Sequence, residues 1–331
     1  MSVYLGYESA LECLRGEGFP ERAVASRSIP QPGRVPTRQD VRGVDLDEVG
    51  VRGSPLTLVV PDAVSRGKSQ ELACRVWKPP AGAYSFVRVG KGLYASRPEA
   101  CFLQMATRLE RVRLVLLAFE LCGTYALDDG HPNGFRTREK PLTSVASLRR
   151  FAQKAAGMKG SKQALQALRF VADGSASPME SVLTMLLCLP TAHGGYGIPL
   201  PRLNHLVRMP DEVRKATGRA RCFCDLCWPE ERLAVEYESD AFHGEGADIA
   251  RDSKRRAALD RAGYAVVTVT WAQVRDTREL DEVARVLAKH LGKRLRISRS
   301  DWMARRFELR RLIMPQGRPT AGSRPEESVL S

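Results

Sequence analysis

The chain has 331 residues, with 52 Lys and Arg against 38 Asp and Glu, giving a formal net charge of +14 at pH 7 and a pI near 9.7. That length predicts two domains, and 43% apolar content is enough for sizeable cores, which excludes a disordered or fibrous chain. The basic balance favours an acidic partner such as nucleic acid. No apolar run approaches the roughly 18 residues of a membrane span, and the start has neither a basic nor an apolar leader region, so a cytoplasmic protein with no membrane partner is expected. The eight cysteines are scattered and read as free thiols.

A helix is predicted over 7–15, followed by a loop rich in Pro, Arg and Gly over 18–53. Short β runs follow at 56–60, 73–77, 84–89 and 92–95. Residues 98–122 then show helical periodicity, with Cys101, Leu103, Met105, Leu109, Val112, Leu116 and Phe119 apolar. This helix-then-strands order, headed by Tyr7, Glu8, Ser9, Ala10 and Leu11, resembles the middle region of AbiEi-type antitoxin and transcriptional-regulator proteins. The resemblance implies a cognate toxin protein as partner, although the winged helix-turn-helix with which those proteins start is not visible here. Gly90-Lys91-Gly92 reads as a strand turn, and there is no P-loop or dinucleotide fingerprint. After a loop at 128–134 comes a basic helical pair, 144–156 and 161–172, carrying Arg149, Arg150, Lys154, Lys159, Lys162 and Arg169. It faces either DNA or only solvent.

Ser177 and Pro178 start the next helix, as N-cap and first-turn residue, with Met179, Val182, Leu183, Leu186 and Leu187 as its buried stripe. Glu180 sits in its first turn, where an acid complements the helix dipole. Residues 194–197 form a loop, and 199–207 an irregular strand.

The stretch 221–243 organises this half of the chain. Pro229, Glu230, Glu231 and Arg232 form a turn between two apolar strands, which sets Trp228 opposite Leu233 and Asp225 opposite Glu236. Opposed side chains on one face lie about 5 Å apart at Cβ. Glu238, two residues on, shares the face of Glu236, and Leu233, Val235 and Tyr237 take the other. Three carboxylates thus stand where burial normally puts Val or Leu. Unpaired buried carboxylates are costly, and a divalent cation is one remedy.

The chemistry that wants this arrangement is phosphodiester hydrolysis. Mg²⁺ or Mn²⁺ held by carboxylates polarises a phosphoryl oxygen and acidifies a bound water. His243 is placed to act as general base or to orient that water, although a lone His is commonly a hydrogen-bonded core residue.

A helix follows over 247–262, stopped by Gly263, with Arg251, Lys254 and Arg255 within one face; they suit DNA phosphate, or a solvated face in which Asp252 pairs with Arg256. Then come a buried strand at 265–270, a turn at Trp271 and an amphipathic helix at 280–291. A basic, partly helical segment follows at 293–311, anchored by Trp302 and Phe307, and 315–331 reads as disordered. Cys222, Cys224 and Cys227, with His205 or His243, have the right atoms for Zn²⁺. Strand alternation, however, sends Cys222 and Cys224 to the face opposite Cys227.

Asp225, the run Leu233-Ala234-Val235-Glu236-Tyr237-Glu238, His243, residues 252–259 and residues 263–271 together resemble a Vsr-like endonuclease domain. This is a branch of the restriction-endonuclease-like PD-(D/E)XK superfamily. The similarity spans about 175–292, little over a third of the chain. It implies Asp225 as a metal-ligating aspartate, Glu236 as the second acidic position and His243 as the water-activating histidine. It also implies Glu180 as a further metal-site acid, on the helix before the hairpin. Glu238 stands where the superfamily has a lysine and Vsr-type enzymes a histidine. Lys254 or His243 would replace that group, or the metal would act alone.

The expected fold is α/β. A mixed α+β region (1–125) and a basic helical connector (126–174) precede a restriction-endonuclease-like domain (175–296), a mixed sheet flanked by helices; a basic helix and tail (297–331) follow. The expected function is a Mg²⁺-dependent DNA endonuclease. The alternative is a non-catalytic DNA-binding or toxin-neutralising protein, type IV antitoxin-like, that keeps the nuclease fold as a scaffold.

Overall fold

The short β-branched and aromatic runs fold as strands, and the amphipathic stretches between them fold as helices, in a computed structural model that describes residues 2–24, 32–33, 36–62, 70–238, 246–297 and 300–315. The result is a mixed α/β protein. It divides into unit 1, Met1–Leu121 with Leu142–Arg169, and unit 2, Cys122–Pro141 with Phe170–Ser331. Among the described residues no helix is long and apolar enough to cross a membrane.

Unit 1 contains β1 (Val3–Leu5), α1 (Tyr7–Arg15), the short helices α2 (Phe19–Arg22) and α3 (Arg38–Arg42), and strands β2 (Leu56–Val60), β3 (Leu72–Val76), β4 (Phe86–Gly90) and β5 (Leu93–Ser96). The strands form one mixed sheet, order β3-β2-β1-β5-β4, with β1 parallel to β5 and antiparallel to β2. The helix expected over 98–122 is instead two, α4 (Pro98–Met105) and α5 (Arg111–Cys122). Polar side chains occupy carbonyls at the break: Thr107 Oγ1 donates to Gln104 O, and Gln163 Nε2 donates to Leu109 O at 2.6 Å. Helices α6 (Val145–Lys154) and α7 (Ser161–Ala167) pack on α4. The expected 126–174 connector therefore does not stand apart. Val145, Leu148, Phe151, Ala152, Ala164 and Ala167 form an apolar face that must be buried, and unit 1 supplies the core.

Unit 2 opens with the β6 (Tyr125–Leu127) and β7 (Phe135–Thr137) hairpin, then α8 (Pro178–Cys188), β8 (Arg202–Arg208), α9 (Asp211–Thr217), β9 (Arg221–Trp228) and β10 (Leu233–Glu238). After α10 (Gly246–Arg261) come β11 (Ala265–Thr270), α11 (Trp271–Arg275), α12 (Thr277–His290) and α13 (Trp302–Ile313). The main sheet has order β11-β10-β9-β8, with β9–β10 a hairpin and β10–β11 a parallel pair joined through α10. Leu233, Ala234, Val235 and Glu236 are buried in succession, so both faces of β10 are covered. Trp271 starts a helix rather than a turn, because Thr270 and Gln273 form a capping box.

Helix α13 is held differently from expectation. Trp302 is buried and its Nε1 donates to Gly195 O, but Phe307 is 71% exposed. The inward face is Trp302, Arg306, Leu309 and Ile313, and Phe307 lies one residue off it. Arg306 pairs with Asp281 at 3.0 Å, and its guanidinium lies 4.9 Å from the Trp302 ring centre and 5.3 Å from that of Tyr196.

Candidate active site

The turn at 229–232 sets the hairpin register as the sequence implies, with Leu233 opposite Trp228, Ala234 opposite Cys227 and Val235 opposite Leu226. Arg232 takes a positive φ of 49° to close it. Backbone pairing stops one step before Asp225 and Glu236. There Asp225 Oδ2 accepts the Tyr237 backbone N–H at 2.8 Å, so a carboxylate takes the place of a ladder carbonyl and the strands part. Beyond this fork β10 continues beside β11, through Glu238 opposite Thr270.

The other neighbour of β9 is interrupted at the same level. β8 pairs Leu203 with Leu226 and His205 with Cys224, but the intervening Asn204 and Asp225 are not paired. Asn204 has a φ of 45°, in the left-handed region. This turns its amide toward α8, where Nδ2 donates to Glu180 Oε2 at 2.6 Å and to Gly174 O at 3.0 Å. Sequence reasoning missed Asn204. The available signal was an Asn inside a β run, a residue that tolerates left-handed backbone and weakens a strand.

Glu180 lies in the first turn of α8, which Ser177 caps by accepting the Glu180 N–H. Its Oε2 also accepts the Ala176 N–H at 2.8 Å, and its Oε1 accepts the Ser177 hydroxyl at 3.0 Å. These donors favour the charged form, yet burial outweighs them. The nearby charge of Asp225 adds to burial, and the carboxyl is pushed up to about 8 from its usual 4.5. Glu180 and Asp225 are thus a buried acidic pair built from a helix N-terminus and a strand fork.

Glu236 is buried too, but its partner is a cation. Arg255 Nη2 of α10 lies 2.6 Å from Glu236 Oε2, and Arg255 Nη1 donates to Phe223 O. The two side chains are 13% and 4% exposed, so this guanidinium, expected to meet phosphate, is turned to the sheet. Lys254 beside it is exposed. Glu238, at the end of β10, is exposed rather than buried. Arg251 lies on α10, but its side chain, like the whole of His243, is outside the described residues. Among the described residues no group of three or more His, Cys, Asp or Glu side chains is disposed to hold a metal ion.

All eight cysteines are thiols outside any disulfide. Cys222, Cys224 and Cys227 share one apolar cluster with Val207, Ala234, Ala258 and Leu259. The alternation that would separate Cys227 from the other two does not carry through Asp225, where pairing on both sides of β9 is interrupted. The Cys227 hydrogen bond and burial push the Cys224 thiol up, which keeps it protonated as a core side chain.

Two proteins of Mycobacterium tuberculosis resemble this chain: the uncharacterised protein MT2308 of strain CDC 1551 / Oshkosh and the uncharacterised protein Rv2248 of strain ATCC 25618 / H37Rv. Each is 31% identical over 223 residues, covering 65% of this chain and 70% of the relative. No protein-family model matches the chain, and no solved structure matches it.

Proposed function

The chain belongs to one family with the mycobacterial proteins MT2308 and Rv2248, and for this member we propose a metal-dependent DNA endonuclease whose centre is the Glu180–Asp225 pair of unit 2. The observation that carries the reading is the placement of two acids, both under a tenth exposed, where burial first and the nearby Asp225 charge second raise the Glu180 pKa. Hard carboxylate oxygens suit Mg²⁺ or Mn²⁺, and Glu180 and Asp225 are the side chains that would hold it. Such an ion supplies Lewis-acid polarisation of a phosphoryl oxygen. Asp225 is fixed by the Tyr237 N–H and Glu180 by Asn204, Ala176 and Ser177, so both present oxygens at set positions. Glu236 acts in this reading by orienting Arg255, and His243 is the group assigned to water activation. The compartment is the cytoplasm, where DNA is accessible.

The second reading, a non-catalytic DNA-binding or toxin-neutralising scaffold, is favoured by the Arg255–Glu236 ion pair and by the exposed acid at Glu238. Incubation of purified protein with supercoiled plasmid in Mg²⁺ or Mn²⁺, against EDTA, separates the two. The nuclease reading expects nicking that needs metal and is abolished in Asp225→Asn, which keeps an acceptor for the Tyr237 N–H. Intact plasmid, together with a melting temperature that does not respond to either metal, rejects it.

A further inference from the structure

Residues 141–172 contain six cations, Arg149, Arg150, Lys154, Lys159, Lys162 and Arg169, and no Asp or Glu. A stretch of that length, drawn from a chain with 38 acids in 331 residues, would carry three or four. The structure folds residues 142–169, which hold all six, within unit 1, with α6 and α7 as a helical hairpin. All six cations are exposed, and among the described residues none pairs with a carboxylate. Arg149 donates only to Leu168 O, and Arg150 to Ser147 Oγ.

The hairpin is held rigidly. Its apolar face is buried on α4, Arg111 Nη2 donates to Gln166 Oε1 and Gln163 Nε2 donates to Leu109 O. The turn approaches α4 so closely that a Cβ at Gly160, where φ is 92°, would lie 2.9 Å from Thr107 Cγ2 and 3.0 Å from Leu103 O. Arg150 and Lys154 are one helical turn apart on the same side of α6, roughly 6 Å along the axis. Lys159 and Lys162 continue the charge through the turn into α7.

We infer that the α6–α7 hairpin of unit 1 is a docking surface for the phosphate backbone of duplex DNA, read without regard to base sequence. A cluster of exposed cations with no Asp or Glu in its own sequence repels itself and is relieved by a polyanion. Duplex DNA fits better than an anionic membrane. A helix lying on lipid needs an exposed apolar face, and none of the exposed large hydrophobic side chains falls between residues 141 and 172. This inference deepens the nuclease reading by naming the surface that holds the substrate, and it rests on that reading only for DNA as the biological partner.

The test measures duplex binding by fluorescence anisotropy in EDTA, from low to moderate salt, with two unrelated sequences. Wild type is compared with the triple variant Arg150→Gln, Lys154→Gln, Lys162→Gln. A charge-matched control replaces the exposed Lys78, Lys215 and Lys289 by Gln. Each lost phosphate contact makes the slope of log K against log salt shallower by about 0.9, so the hairpin triple should lose about 3 and the control little, equally for both sequences. Equal slopes for the two triples would overturn the inference, since the charge then acts diffusely. So would wild type that binds vesicles of anionic phospholipid but not duplex. Binding is read without metal, so plasmid left intact while the hairpin triple still loses its slope refutes the nuclease reading alone.

Discussion

Replacing Glu180 by Gln tests the ionisation of the acidic pair directly. Glu180 is buried, and its carboxyl is raised from 4.5 to about 8 by burial first and the Asp225 charge second. Between these values the folded chain holds a proton that the unfolded chain has released. The stabilisation is therefore complete below about pH 4.5 and is lost as pH rises through 8. At about 1.4 kcal/mol per unit, the separation corresponds to an order-of-magnitude ceiling of roughly 5 kcal/mol. Gln keeps the contacts: its carbonyl accepts from Ala176 N–H and Asn204 Nδ2, and its amide donates to Ser177 Oγ. The variant should match wild type near pH 4.5 and exceed it by several °C in melting temperature above pH 8. The readout is the wild-type minus variant difference, followed from pH 4.5 to 9, which cancels other titrating groups. Asp225→Asn should retain most of the slope, because burial is the larger cause. A difference that is flat with pH, or that grows in favour of wild type toward pH 9, would refute the ionisation assigned to Glu180.

Arg255→Met leaves Glu236 buried without its cation and should cost about 3–5 kcal/mol in urea denaturation, most of it recovered by adding Glu236→Leu. If Arg255 served only phosphate, the single variant would lose DNA affinity and no stability. Arg306→Met removes the Asp281 pair and two ring contacts and should destabilise by about 3 kcal/mol. By contrast Phe307→Ser, at a position 71% exposed, should stay within about 0.5 kcal/mol, so equal losses would show that the inward face of α13 is misassigned. Gly160→Ala should cost about 1–3 kcal/mol, because alanine is strained at φ 92° and meets Leu103 O, and a neutral result by thermal melting would contradict the tight turn.

What could be read from the sequence was local. The helix over Tyr7–Arg15 and the strands Leu56–Val60 and Ala265–Thr270 match their predicted bounds, because periodicity and flanking Gly or Pro decide them. Ser177 caps α8 as its position implies, and the turn residues at 229–232 fix the hairpin register. What escaped depends on contacts distant in sequence. The amide of Asn204 reaches Glu180, 24 residues away, only because its own backbone turns left-handed. Arg255 reads as a phosphate-facing cation on a helix, and nothing in its neighbours reveals that Glu236 waits across the sheet's edge of α10 at 2.6 Å. The same interruption at Asp225 breaks the alternation that would have separated Cys227 from Cys222 and Cys224.

The buried charges around β9 and β10 bear on which functional reading to prefer. Glu180, Asp225 and Glu236 are all under a tenth exposed, and Arg255 neutralises Glu236. Glu180 and Asp225 are two acids in one low-dielectric interior, where burial and the Asp225 charge favour the protonated form of Glu180. A scaffold has no use for such a pair. Gln at position 180 would accept from Asn204 and Ala176, and Asn at position 225 would accept from Tyr237, without the repulsion between them. Neither hydrogen-bond set requires an acid. Two carboxylates held by these four hydrogen bonds, where amides would serve as well, fit a demand for their charge. Coordination of a hard cation would make that demand, and on that ground we propose the enzyme ahead of the scaffold.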